Sequence, residues 1–308
     1  RTNMDIESAI EFPFPFAHIM LSTEQKRKRM TAFAIDKKRK IAAGGFFIFT
    51  KARVYDKISN IDFIYKIKNL ETEHFMFEIV TDNTADLYEG YYEQNPARRL
   101  PFSFTLEDRF YERDDEYPIE LFYEKLKAGK LVRTSQINPH DAEVEFEKVL
   151  QEGKDVLYIG FSSGMSGSFD NISYIAKGLR IKYPERKIIV VDTLSGAGGE
   201  GLLFYYARKM QQEGKSMEEI AEWVENNKLN THHCFIVSDL INLRNSGRIS
   251  TLAALFGMIV HINPVLELTR EGKIGIVTKS IGRKKSIAEM VKFFKQNYIP
   301  SDNDFILV

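Results

Sequence analysis

The sequence predicts an α/β fold, a parallel sheet covered by helices, with a smaller α+β lobe after it. Three observations carry this. Short, almost wholly apolar runs such as Val156-Leu157-Tyr158-Ile159 and Ile188-Ile189-Val190-Val191 suit strands buried on both faces. Each run leads through a loop of small residues into a stretch with helical spacing of apolar residues. From Cys234 onward the pattern changes to strand, hairpin, helix and strand.

In chain order, residues 1–74 read as an extension of unassigned role. They hold 14 basic and 9 acidic residues, a net of +5, with runs at Lys26-Arg27-Lys28-Arg29 and Lys37-Lys38-Arg39-Lys40. Such runs suit a solvated face as well as a nucleic-acid arm. Phe46-Phe47-Ile48-Phe49 has the composition of a short strand. Residues 75–80 predict the first strand of an α/β lobe spanning 75–234. Thr81-Asp82-Asn83-Thr84 ends that strand with turn and cap residues, Asp82 in a capping role. Residues 88–118 read as loop-rich and aromatic, with an extended piece at 100–104. A helix is expected over 119–131. Thr134-Ser135-Gln136 precedes an Asn138-Pro139 turn and a helix over 140–151.

The strand 155–160 then opens into Ser162-Ser163-Gly164-Met165-Ser166-Gly167-Ser168, followed by a helix from Phe169. The strand 187–191 opens into Asp192-Thr193-Leu194-Ser195-Gly196-Ala197-Gly198-Gly199-Glu200-Gly201, read as a second small-residue loop before a helix over 202–212. Ser216 and Glu219 form a capping box for another helix. A second lobe is expected over 235–308. It takes in a short helix at 240–244, a turn with Arg248, a helix at 252–258, a hairpin closed at Glu271-Gly272, a helix over 284–296 and a strand at 304–308. His261 and Met258-Ile259-Val260 read as core.

Composition narrows the function. Lys plus Arg and Asp plus Glu both number 43, so no bulk charge favours nucleic acid or an anionic membrane. The single cysteine, Cys234, excludes an internal disulfide and a thiolate metal cluster and suits a reducing compartment. No apolar run reaches the roughly 18 residues of a membrane span, and no signal peptide is read at the start. A cytoplasmic protein with no cofactor or metal is the expectation.

The serine loop points hydroxyls and backbone N–H groups at one spot before a helix N-terminus, a seat for an oxygen-rich group. Three chemistries compete for it. Gly160-Phe161-Ser162-Ser163-Gly164 matches the nucleophile elbow of a hydrolase, with Ser162 as nucleophile. That role needs an acid and a histidine, and only His232, His233 and His261 lie downstream. A nucleotide site is the second. Gly196 to Gly201 spells a G-x-G-x-x-G, but the acids about 20 residues on (Glu213, Glu218, Glu219) fall in a helix and its cap. The third is a seat for the carboxylate of an apolar ligand.

The third agrees with a resemblance. Thr81-Asp82-Asn83-Thr84-Ala85-Asp86-Leu87, Thr134-Ser135-Gln136, the serine loop, Asp192 with its glycine-rich continuation, Gly247-Arg248-Ile249-Ser250 and Pro264-Val265-Leu266 occur in an order that resembles the DegV family of bacterial fatty-acid-binding proteins. The resemblance implies a two-lobed fold, a Rossmann-like parallel α/β lobe and a smaller α+β lobe, with one long-chain fatty acid buried between them. It implies a carrier rather than an enzyme, which presents the carboxylate to a separate fatty acid kinase subunit for phosphorylation to an acyl phosphate. The residues matching the family's carboxylate seat are Thr134, Ser166 and Gly167, with Ser135, Ser163 and Ser168 as neighbours. Arg248 is either a further ligand-side residue or a turn residue joining the lobes. Three departures stand out. Lys279-Ser280-Ile281-Gly282 lies where the family has an arginine, so that Lys279 or Arg283 would substitute. The sequence stops before the family's terminal glycine-rich segment with its histidine, which is either absent from this copy or outside residues 1–308, and residues 1–74 have no family counterpart.

Overall fold

A computed structural model describes residues 46–48, 76–88, 90–113, 116–237, 243, 246–248 and 263–298. Its main sheet has four parallel strands in the order β3-β2-β7-β8: β2 is Phe77–Asp82, β3 Arg98–Leu100, β7 Asp155–Gly160 and β8 Ile188–Asp192. The period of two along each strand sorts the side chains onto two faces. Val80, Val156, Tyr158 and Ile188 pack on one face against Ala142, Phe146 and Val149 of helix α3 (Pro139–Gln151). Ile172, Ala176 and Leu179 of α4 (Ser168–Lys182) complete that layer. Phe77, Ile79, Leu157, Ile159 and Val191 face the other way. They meet Leu203, Phe204 and Ala207 of α5 (Ala197–Gln212) and Ile220 and Val224 of α6 (Met217–Asn227). Both faces are buried, which is why the middles of the central strands, Ile79-Val80 and Val156 to Ile159, are apolar on both sides, the polar residues lying toward the strand ends. Each such side chain taken from water contributes about 1.5–3 kcal/mol.

Local signals set the helix starts. Asn138 caps α3, accepting from the His140 N–H at 3.0 Å, with Pro139 in the first turn. Ser216 and Glu219 form the expected capping box on α6.

Two departures from the sequence reading matter. The aromatic stretch before α3 holds a three-stranded antiparallel sheet in the order β5-β4-β6: β4 is Phe104–Leu106, β5 Arg109–Tyr111 and β6 Val132–Thr134. It follows the short helix α1 (Tyr91–Gln94) and is closed by α2 (Ile119–Lys127) over a core of Phe104, Tyr111 and Phe122. Strands of three residues are too short for a periodic signal. The second departure is α5, which begins at Ala197, five residues before the expected Leu202. Gly198, Gly199 and Gly201, which read as loop, are helical, and Gly199 and Gly201 are small because neighbours press on them. A Cβ on Gly201 would lie 2.0 Å from the Asp86 carbonyl oxygen, and one on Gly199 2.3 Å from Nε2 of His233.

The remaining strands form a sheet in the order β1-β9-β10-β11, with β1 Phe46–Ile48, β9 Thr231–Ile236, β10 Val265–Leu268 and β11 Ile274–Thr278. The β10–β11 pair is the expected hairpin, and α7 (Arg283–Asn297) packs on this sheet. Since β9 begins at Thr231, the second lobe's sheet starts a few residues ahead of residue 235. Phe46–Ile48 is a strand as expected and pairs parallel to β9. The elements expected at 252–258 and 304–308, most of the one at 240–244, His261 and the basic runs near the start lie outside the described residues.

Candidate functional site

The chain leaves β2 toward β3 on one side and later returns as β7 on the other, so the sheet's topological switch lies between β2 and β7. Open parallel sheets place their ligand sites beyond the strand ends at such a point. The Thr81–Thr84 turn follows β2 and the serine loop follows β7.

Most amides of the serine loop are already used. The Phe161 N–H donates to Oδ2 of Asp82 at 3.0 Å, the Ser162 N–H to the Ser195 carbonyl at 2.9 Å and the Ser163 N–H to Oδ1 of Asp192 at 3.2 Å. The Gly164 N–H donates to Oγ of Ser162, the Met165 and Ser166 N–H groups to the Ser162 carbonyl, and the Ser168 N–H to Oγ of Ser166. Gly167 alone keeps its N–H without a partner among the described residues. The adjacent Ser166 hydroxyl lies 2.9 Å from that of Ser168, which accepts from the Ile137 N–H at 3.1 Å.

That last bond ties the loop to Thr134-Ser135-Gln136. The side chain of Gln136 accepts from Nδ2 of Asn171 on α4, and its amide nitrogen lies 2.5 Å from where a Gly167 Cβ would be. Thr134 ends β6 and is half-buried, Ser135 and Ser163 are exposed, and Ser166 and Ser168 are buried. The hydroxyls of Thr134, Ser135 and Ser163 have no partner among the described residues. Through Gln136 and Ile137 the fold thus brings the Thr134–Gln136 segment against the serine loop at Gly167 and Ser168.

Ser162 is fully buried and committed elsewhere. Its hydroxyl donates to the Gly272 carbonyl at 2.7 Å while accepting from the Gly164 N–H at 3.1 Å. Neither bond is to a histidine. His233 instead places Nε2 3.1 Å from the Gly196 carbonyl. Among the described residues, which do not include His261, the geometry does not build the nucleophile–base pair that the elbow pattern requires. Of the G-x-G-x-x-G glycines, Gly201 is pressed by the Asp86 backbone and Gly196 by the Phe161 ring.

Arg248 reaches across from the second lobe. Its Nε donates to the Met165 carbonyl at 3.0 Å and its Nη1 to the Ser246 carbonyl at 2.6 Å. Met165 packs with Val237, Leu243, Leu266 and Ile274 of that lobe. The serine loop is therefore held on one side by a turn and on the other by an arginine.

Beneath the loop lies a group of acids whose connection the sequence did not reveal. Asp82 caps its turn as expected, accepting from the N–H and hydroxyl of Thr84. Its other oxygen accepts from Tyr158 and Phe161. Glu200, also fully buried, meets the Thr84 hydroxyl at 2.7 Å. Burial pushes Glu200 well above the usual carboxylate range; burial raises Asp82 too, against the opposing hydrogen bonds. No group of three or more His, Cys, Asp or Glu residues is arranged to hold a metal among the described residues. No helix among them is long and apolar enough to cross a membrane.

Comparison with known proteins places these features. Residues 76–307 match the family model described as "Uncharacterised protein, DegV family". A DegV domain-containing protein of Clostridium perfringens is 34% identical over 234 residues, which cover 75% of this chain and 80% of the relative. One of Lactococcus lactis is 34% identical over 218 residues, 70% of this chain and 75% of the relative. Among solved structures, a fatty-acid-binding DegV family protein of Thermus thermophilus superposes with a TM-score of 0.63 at 28% identity. The match covers 71% of this chain and 77% of that one. A fatty acid binding protein of Bacillus subtilis, DegV, gives 0.61 at 26% identity, covering 72% and 77%.

Proposed function

The chain belongs to the DegV family, and on that footing we propose that it binds a long-chain fatty acid between its lobes. The carboxylate rests on the hydroxyls of Thr134 and Ser166 and the N–H of Gly167. Ser135, Ser163 and Ser168 border it, and Arg248 secures the loop from behind. The observation that carries this is the unused Gly167 amide beside Ser166. In a loop where the other amides have internal partners, a free donor at the switch point is a place for an anion. The relatives of Thermus thermophilus and Bacillus subtilis, described as binding fatty acids, support the choice of anion.

The protein acts as a carrier that presents the carboxylate to a separate fatty acid kinase subunit for conversion to acyl phosphate. A seat of neutral donors suits that role. It orients the carboxylate without an ion pair, leaving an oxygen free for in-line attack on a phosphoryl group. Such a partner, which uses ATP, fits a cytoplasmic setting.

Denaturing extraction of the purified protein, followed by mass spectrometry, should release a fatty acid. Added fatty acid at 100 times its dissociation constant should raise apparent stability by about 2.7 kcal/mol. No released lipid together with no shift on addition would reject the carrier reading. A fluorophosphonate probe should leave Ser162 unlabelled; stoichiometric labelling would favour the hydrolase instead.

A further inference from the structure

The seat rests on the serine loop, and the loop's first amide rests on Asp82. Two fully buried carboxyls lie there, Asp82 at the end of β2 and Glu200 in the first turn of α5. Among the described residues neither has a lysine or arginine partner. The groups facing them are Thr81 and Thr84 from the β2 turn, Tyr158 from β7, Asp86, Tyr92 and, across the strand ends, Asp192. The guanidinium of Arg99 lies beyond that set, over the Tyr92 ring at 4.2 Å.

Counting hydrogens locates the proton. The Thr84 hydroxyl has one hydrogen to give. It lies 2.5 Å from Oδ1 of Asp82 and 2.7 Å from Oε2 of Glu200. Only one contact can use the threonine's hydrogen, so the other needs a hydrogen from a carboxyl. Whichever way the threonine's hydrogen points, Asp82 receives three donors: the Thr84 N–H on Oδ1, and the Tyr158 O–H and Phe161 N–H on Oδ2. Glu200 has, besides Thr84, only the Thr81 hydroxyl at 3.5 Å. Donors favour the ionised form of the acid that has more of them, which puts the charge on Asp82 and the proton on Glu200, which donates to Thr84, which donates to Asp82.

We propose that Asp82 is a positioning residue for the head-group seat, gripping the Phe161 amide as a carboxylate, and that Glu200 is the neutral acid that sustains it through Thr84. The positioning half rests on the seat described above; the shared proton does not. Its consequence is that the serine loop is set by charge as well as by packing. Neutralising Asp82 presents an NH2 group to two donors at either of its oxygen positions, so the loop must shift. Changing Glu200 to glutamine keeps a neutral donor toward Thr84.

Infrared spectroscopy of the unmodified protein at neutral pH should show a protonated-carboxyl C=O stretch that Glu200→Gln removes. Absence of the band, or its survival in that variant, overturns the proton assignment whatever the ligand turns out to be. Position is read from a bound fatty acid carrying 13C at its carboxyl. Asp82→Asn should move or split the head-group resonance while affinity changes by less than tenfold. Glu200→Leu should also move it, and Glu200→Gln should restore it. If Asp82→Asn does not fold, Thr84→Val, which removes the bridging hydroxyl, replaces it in the same measurement. An unmoved resonance in both folded Asp82→Asn and Glu200→Leu overturns the positioning role. Failure of the unmodified protein to bind any fatty acid removes that role along with the carrier reading, and leaves the infrared result standing.

Discussion

At Gly167 an amide without a partner among the described residues sits beside Ser166, whose hydroxyl is proposed to meet a carboxylate. The energetics of this pair separate affinity from orientation. A buried methylene contributes about 0.8 kcal/mol, so ten of them supply about 8 kcal/mol. A hydroxyl bonded to a charged group nets about 1.5–3 kcal/mol. Thr134→Ala and Ser166→Ala should each therefore weaken fatty acid binding by roughly tenfold to a hundredfold. Acyl-phosphate formation at saturating lipid should fall further, because a misdirected oxygen loses its line of attack. Binding and turnover measured side by side check this; binding lost with turnover intact would exclude the two residues as the seat. The serine loop was legible as an oxygen seat because hydroxyls and glycines cluster in a strand-to-helix loop, while the choice of Ser166 and Gly167 within it came from the family resemblance. Glu200 was not legible, since nothing local distinguishes a buried neutral acid from an exposed charged one. Its state is set by Asp82, 118 positions earlier in the numbering.

Among the elements, the β10–β11 hairpin is the one whose role the sequence did not suggest. Its Glu271-Gly272 turn docks on the serine loop of the other lobe. Gly272 has a φ of 67°, and a Cβ there would lie 2.1 Å from Oγ of Ser162 and 3.0 Å from Cα of Leu194. Gly164 answers it from the opposite side, where a Cβ would meet the Glu271 carbonyl at 2.3 Å. Gly272→Ala should cost roughly 2–4 kcal/mol, combining left-handed strain with the clash. Ser162→Ala should cost about 1–3 kcal/mol by orphaning a buried carbonyl. Together they should cost less than their sum by about 1 kcal/mol, since the hydroxyl is the worse of the two obstacles. Urea unfolding of both single variants and the double variant measures the coupling; strict additivity would mean the turn does not clasp that hydroxyl. The hairpin itself was readable from alternation and an Glu-Gly turn. Its docking partner lies 110 residues away and leaves no trace in the pattern.

For the molecule as a whole, His233 is a joint between the lobes. It sits on β9, in the second sheet, and its ring packs on Gly196 and Gly199 at the start of α5. Burial lowers its pKa from 6.5 to about 4, against the raising effect of the Gly196 carbonyl. Because the folded value is depressed, the unfolded chain takes up the proton first. The stability is complete above about pH 6.5 and drains away as pH falls toward 4. At pH 4 the loss attributable to this one group should approach about 3 kcal/mol. Denaturant melts of the parent and His233→Gln at pH 7 and pH 4.5 isolate it from the carboxylates. Equal pH slopes in the two proteins would show that the ring is free to protonate in the folded state.

The sequence by itself determined the parallel sheet, the serine loop and the family. Each of these rests on near-neighbour patterns: apolar runs, helical spacing and small residues after strands. The tertiary structure alone decided how the small residues are used. Ser162 became an interlobe clasp, the Gly196–Gly201 run became the close-packed start of a helix, and Asp82 became the anchor of a loop that begins 79 residues later. A hydroxyl, an amide or a carboxyl can bond to ligand, backbone or another acid with similar energy. Which partner it takes depends on which strand ends the fold sets side by side, and those contacts join residues too far apart in sequence for any local pattern to record.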